Sequence, residues 1–357
     1  MNDSHSVLAF YGCREVAPGA IGEILDLAIK WMAQVGCAPD LLGTNLNRGL
    51  IRFKAGEKKA RDRSSDVDSF QLISLASGVR NRLEGTRCNI CFQRRTAQKR
   101  SYLIVDYLSE LASIGSTQLL EIAQEACATL KPSYGIGFHR SFDLGPVAYG
   151  LAVEEGDAGE EEGLRISHWG EALRYELFAY GLIRDVYPWN FLTLAQLSRK
   201  LGKQTFHEWI CNDTARGSLS ALTPDLHLWA VAERHIPSVR RALFEGEVIF
   251  DYDKHIQGAL EAFNVKGDLP DKAAEKEFFQ AWASKTREEM KRWFRAKYGC
   301  DRFSSPARSG EEILHDVLGS MGASPEDVRV LKVEKPGELR ELSAEEVRRV
   351  KKSGRKK

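Results

Sequence analysis

Residues 182–250, LIRDVYPWNFLTLAQLSRKLGKQTFHEWICNDTARGSLSALTPDLHLWAVAERHIPSVRRALFEGEVIF, carry the densest structural punctuation in the chain. Two helix-start signatures stand in it, Thr193-x-x-Gln196 and Thr205-x-x-Glu208. In each, the Thr hydroxyl accepts from a backbone N–H while the Gln or Glu reaches back to the cap. Two short consecutive helices are expected, the first with Leu194, Leu197 and Leu201 on one apolar face and Gly202 as its end. Ahead of them Tyr187-Pro188-Trp189 must be extended, because proline disfavours the helical region for the residue before it. After them Leu226 and Leu228 alternate with His227 and Trp229, the pattern of a strand. Pro237 then opens a further helix, and residues 248–250 read as a buried strand.

Working outward toward the N-terminus, residues 7–11 form a short apolar strand. A helix follows in which Ile21, Ile24, Leu25, Ala28, Trp31, Met32 and Val35 share one face and Gly36 is the stop. Leu41-Leu42 reads as a second strand, and the basic, polar residues 48–68 as a mobile loop, with an anion-binding arm as the alternative. Residues 88–92 and 102–107 are two strands in a hairpin. Residues 117–130 make the cleanest helix, ended by Lys131-Pro132, and residues 134–138 the next strand. Such alternation predicts an α+β fold, a mixed or antiparallel sheet with helices packed on it. Residues 154–163, EEGDAGEEEG, are expected to be an exposed acidic loop. Beyond residue 263 a long helix over 270–298 is predicted, then a small helix at 311–318, a strand at 328–333 and a polar helix at 343–352. Residues 1–263 thus read as one α+β domain, and 264–357 as a mainly helical C-terminal extension with a basic, disordered tail.

The order of these elements resembles the C-terminal half of bacterial immunity-type proteins encoded beside type VI secretion effectors. The matching pieces are Trp189-Asn190-Phe191-Leu192-Thr193, Leu201-Gly202, the strand leading to Ile236-Pro237, and the earlier Tyr134-Gly135-Ile136-Gly137-Phe138. The likeness spans residues 100–255, and departs in a longer C-terminal part and in the entry segment Arg184-Asp185-Val186-Tyr187-Pro188. It implies a protein that acts by binding a toxin, and it carries no catalytic residue.

Composition bounds the rest. A chain of 357 residues with a net charge of +1 has no global field drawing it to nucleic acid or membrane. Its first residues lack the basic flank and cleavage site of a signal peptide, and no apolar run approaches the ~20 residues that span a bilayer, so a cytoplasmic protein without a membrane partner is expected. Seven scattered cysteines fit reduced thiols in the core. From residue 266 onward the net charge is +5, and seven of the last ten residues are basic. Arg348, Arg349, Lys351 and Lys352 are therefore candidate anion-binding residues.

Metal and catalytic signatures are weak. Cys88-x-x-Cys91 lies in a strand, where residues three apart face opposite sides. His207 with Cys211, joined by His227 and His235, would need three elements to converge. Asp251-x-Asp253 lacks the lysine spacing of a metal-dependent nuclease. Phosphate-loop, nucleophile-elbow and dinucleotide signatures are missing, and neither a cofactor nor a metal is expected. The reading is a non-enzymatic partner-binding protein of the toxin-immunity kind, with Trp169, Tyr187, Trp189, His139 and Arg140 as its candidate contacts; for the three aromatics, burial in the core is the alternative to interface anchors. The alternative is a nucleic-acid-associated or defence-system protein that uses the basic C-terminal region.

Overall fold

The structure, a computed structural model, describes residues 4–14, 20–45, 50–62, 72–78, 86–94, 101–153, 159–263, 265, 269, 271–298, 331–335 and 338–341. Its N-terminal elements are β1 (Ser4–Tyr11), α1 (Ala20–Gln34), β2 (Leu41–Thr44), β3 (Ile51–Arg52), α2 (Phe53–Asp62), β4 (Leu72–Ser77), β5 (Cys88–Gln93), β6 (Tyr102–Leu108), α3 (Thr117–Leu130) and β7 (Tyr134–Ser141). Next come α4 (Pro146–Gly150), α5 (Glu160–Arg174), β8 (Trp189–Thr193), α6 (Leu194–Leu197), β9 (Lys200–Leu201), β10 (Gln204–Thr205) and α7 (Phe206–Cys211). β11 (Ser218–Thr223), β12 (Leu226–Ala230), α8 (Ile236–Glu245), α9 (Gly258–Phe263), α10 (Lys272–Ser284) and α11 (Arg287–Tyr298) follow, then β13 (Leu331–Lys335) and β14 (Glu338–Glu341).

Ten strands form one antiparallel sheet in the order β11-β12-β8-β7-β1-β6-β5-β4-β2-β3. β1 lies in its middle, paired with β6 and β7, and seven of its eight residues are buried, as a strand covered on both faces requires. Leu8 and Phe10 share one core with α1 and α3, together with Trp189, Phe191, Leu226 and Leu228 from the far strands. Glu125 of α3 ties the two helices by accepting from Lys30 Nζ (2.6 Å) and Trp31 Nε1 (2.8 Å). On the opposite face Tyr11 and Tyr134 meet Trp169 of α5 and Phe178, with ring centroids 5.9–6.4 Å apart. The C-terminal helices close their own aromatic cluster around Phe263, Phe278 and Phe294, and Tyr175 rests on Phe279. The α+β class and the helical C-terminal region are as the sequence predicts.

By density of contact the chain divides into two units, residues 1–263 with 269–301, and residues 264–268 with 302–357. In the second unit β13 and β14 pair as an antiparallel hairpin. The helices expected at 311–318 and 343–352, and Arg348, Arg349, Lys351 and Lys352, lie outside the described residues.

Several local expectations are corrected. Part of the expected loop 48–68 is β3 and α2, where Ala60 is buried and Gly56 lies so close to Ile51 and Leu42 that a Cβ would meet them at 2.9–3.1 Å. Of the expected acidic loop 154–163, residues 160–163 form the first turn of α5, where their carboxylates favour the positive end of the helix dipole. The helix after Thr193 lasts one turn, Leu194 is exposed, and Gly202 (φ +60°) turns the β9–β10 hairpin instead of ending a helix. Residues 248–250 make a single parallel bridge, Ile183 to Ile249, and no full strand. The long helix breaks into α10 and α11, and Thr286 starts the second by exchanging hydrogen bonds with Glu289. β4 went unread in the sequence.

Candidate functional site

β7 outruns its pairing with β8 at Gly137 and stays paired with β1 through Ser141, and α4, α5, the segment 182–188 and α8 gather round that end of the strand. Asn190 fixes the segment. Fully buried, its Oδ1 accepts from Tyr187 N (3.1 Å) while its Nδ2 donates to Tyr187 O (2.7 Å) and Trp229 O (3.3 Å). The extended conformation that Pro188 demands is thereby bolted to β8 and β12.

Three adjoining cavities make one groove along this end of the sheet. The largest, about 570 Å³, is lined by Tyr149, Trp169, Arg184, Tyr187 and Arg240 among others. A middle one of about 240 Å³ shares Tyr149, Tyr187 and Arg240 with it and adds His139 and Arg140. The third, about 530 Å³, shares His139 and Pro188 with the middle one and reaches Trp189 and Gly217. Trp169, Tyr187, Trp189, His139 and Arg140 therefore all line this groove, although they come from three separate parts of the chain.

For the aromatics the structure takes the core alternative: Trp169 is 1% exposed, and Tyr187 and Trp189 are each 7% exposed. Each packs on neighbouring rings, Trp169 on Tyr11 and Tyr134, Tyr187 on Phe138, and Trp189 on Phe191, so they form the floor of the groove. His139 is exposed; partial burial lowers its pKa, against the raising effect of Glu233.

Two arginines lie on one tyrosine. The Cζ atoms of Arg140 and Arg184 stand 4.2 and 3.9 Å from the Tyr149 ring centroid, within cation–π range. Arg140 donates from Nε to Leu144 O (2.8 Å) and from Nη1 to Glu162 (2.7 Å), while its Nη2 is buried without a hydrogen-bond partner. Arg240 is paired with Asp185 at 2.5 Å. Arg184, 8% exposed, donates from Nη1 to Tyr149 O (2.8 Å), and among the described residues no carboxylate lies within 4 Å of it. Burial pushes the Tyr11 phenol up to about 12 and the Tyr134 and Tyr187 phenols well above their ordinary value, so all three stay neutral around it. Sequence reasoning missed Arg184, Tyr149 and Asn190. Arg184 had the unmatched entry segment as its signal, while Asn190 and Tyr149 had none of their own, since their roles depend on partners elsewhere in the chain.

The other candidates stay apart. Cys88 is buried and Cys91 half-buried on alternate sides of β5, His207 and Cys211 are exposed on α7, and Asp251 caps its own turn by accepting from the backbone of Asp253 (3.0 Å) and Lys254 (3.3 Å). Among the described residues no three His, Cys, Asp or Glu gather as a metal site, and the described cysteines are free thiols. No helix among them is long and apolar enough to cross a membrane.

No protein-family model matches the chain, and no curated protein matches it. Among solved structures it is similar to the Pseudomonas aeruginosa T6SS protein PA0821, with 10% identity and a TM-score of 0.46, over 87% of this chain and 89% of that one. No function is taken from that likeness.

Proposed function

We propose that this chain is a cytoplasmic, non-enzymatic protein-binding protein of the toxin-immunity kind, and that it receives a segment of its partner in the groove beside β7. The observation behind this reading is that Trp169, Tyr187, Trp189, His139 and Arg140 line three neighbouring cavities that share Tyr149, Tyr187, Arg240, His139 and Pro188 between them. Aromatic and arginine side chains held by a rigid scaffold are the groups that dominate binding energy at interfaces, and here His139 and Arg140 stand on β7, Trp189 on β8 and Trp169 on α5. The rim supplies one exposed apolar anchor, Phe244, 48% exposed at the mouth of the largest cavity, beside the charged Arg240. The occupant is a protein segment with apolar side chains for the floor and an acidic one for the cationic end.

The test is calorimetric titration of the chain with the protein encoded by the adjacent reading frame. Phe244→Asp places a charge at the mouth without touching the core, and is expected to weaken binding about tenfold or more at an unchanged Tm. Equal affinity for the wild type and Phe244→Asp would remove the groove from the interface. Lack of binding to any neighbouring effector would remove the immunity reading.

A further inference from the structure

Arg184 is the one described guanidinium lining the largest cavity that has no carboxylate within 4 Å, since Arg165 there holds Glu161. Arg140 holds Glu162, and Arg240 holds Asp185, so those two pairs are internally neutral. Arg184 is 8% exposed, lines the largest cavity, and spends on protein only a bond from Nη1 to the Tyr149 carbonyl and one to the Tyr11 hydroxyl, out of the five N–H donors an arginine carries. It remains charged at every accessible pH, and the faces of Tyr149 (3.9 Å) and Trp169 (6.0 Å) are weaker compensation than a carboxylate. A buried charge held without a counter-ion carries an unrecovered desolvation cost, and a group that brings the missing negative charge recovers part of it.

We propose that the cavity at Arg184 is a binding site for an organic monocarboxylate carried on an apolar body. Each half of that description has its own support. The guanidinium fork matches a carboxylate in two parallel hydrogen bonds. One negative charge is what Arg184 lacks within 4 Å; Glu162, Asp185, Asp251 and Asp253 also line the cavity and oppose the second charge of a phosphate dianion. One part of the wall is apolar and aromatic: Trp169 packs edge-on to Phe250 at 6.1 Å, Tyr252 stacks on His168 at 4.3 Å, and Ile166, Ile249 and the exposed Phe244 join them. A volume of about 570 Å³ falls in the range of small-ligand pockets. The site goes beyond the partner reading and stands without it, since a free organic acid and an acidic side chain of a partner present the same chemistry.

The full-length chain is titrated with benzoate and, separately, with benzamide, its neutral counterpart of the same shape, at constant ionic strength. Binding is read from the rise in Tm and from the Nε–Hε resonance of Arg184. Benzoate is expected to saturate and shift that resonance, benzamide to do neither. Arg184→Met is expected to raise the benzoate dissociation constant about tenfold or more, with Arg184→Lys falling between because it keeps the charge and loses the fork. Equal responses to benzoate and benzamide in the wild type would overturn the proposal with no variant needed, as would undiminished benzoate binding in a folded Arg184→Met. A third arm uses the capped dipeptide acetyl-Phe-Glu-amide. Tighter binding than benzoate makes the natural carboxylate an acidic side chain, and weaker binding makes it a free organic acid. Because no partner protein enters these titrations, loss of the immunity reading leaves their outcome unchanged.

Discussion

His5 Nδ1 and Asp106 Oδ1 lie 2.7 Å apart across β1 and β6, each side chain about 1% exposed, with the Phe142 ring 5.3 Å from the imidazole. Burial raises the Asp106 pKa, and the hydrogen bond from His5 works against that rise. A pair so enclosed is costly to break from one side, because the partner left behind stays buried and unpaired. Asp106→Leu is expected to cost about 3–5 kcal/mol, and the double variant His5→Leu with Asp106→Leu clearly less than the single one. Urea denaturation of the wild type, both single variants and the double variant checks this; additive losses would contradict the coupling.

Asn190 sets the wall of the groove, so its loss reaches both stability and shape. Asn190→Leu keeps the bulk but leaves Tyr187 N and O without their partner inside the protein. The expected cost is about 1–3 kcal/mol for each buried polar group left unsatisfied. Amide exchange at Tyr187 reads the local part of the effect, which should exceed that at Leu8 on β1.

Gly217 (φ +102°) stands just before β11 with its α-carbon against Trp229 and the Ala230 carbonyl; an added Cβ would clash with that carbonyl oxygen and come within 2.9 Å of Trp229 Nε1. That indole donates to Arg216 O at 2.7 Å. Gly217→Ala is therefore expected to lower the Tm and to disturb the β11–β12 hairpin at the sheet edge, leaving the β1–β6 pairing intact. Amide exchange separates the two regions.

The parts of the fold legible in the sequence are those fixed by neighbours along the chain. Both capping boxes form: Thr205 Oγ1 accepts from Glu208 N (3.2 Å) and Glu208 accepts from Thr205 N (2.6 Å), while Gln196 accepts from Thr193 N (2.7 Å). α3 runs over residues 117–130 as its apolar stripe predicts, capped by the Ser116 hydroxyl and ended at left-handed Lys131. α2 was hidden because its buried side is only Gly56 and Ala60, too small to print a hydrophobic period. Trp169, flanked by His168, Gly170 and Glu171, reads as a surface residue, and only the strands β1 and β7 packing over it bury it. The groove was out of reach for the same reason: Arg140, Arg184 and Arg240 are brought together by the sheet and α8, with no local signature.

The last prediction is a pH dependence at His255. The ring is 7% exposed, stacks on Phe250 at 5.7 Å and touches the Asp251 backbone through Nδ1. Burial lowers its pKa below the ordinary value of 6.5; Arg199 adds to the lowering, while Asp251 and Glu247 oppose it. The folded state thus prefers the neutral ring, and below pH 6.5 the unfolded chain takes up the proton first. The contribution to stability is present above the unfolded pKa and is lost as pH falls from about 6.5 through the folded value, with a slope of at most about 1.4 kcal/mol per pH unit. His255→Gln removes this titration but not that of the other histidines, so the quantity to measure is the difference between wild-type and variant unfolding free energies. Between pH 8 and 7 that difference should be flat, and below about 6.5 it should shrink in favour of the variant. A difference that stayed constant down to pH 5 would mean that His255 titrates alike in the folded and unfolded chain, and burial would then not be what governs it.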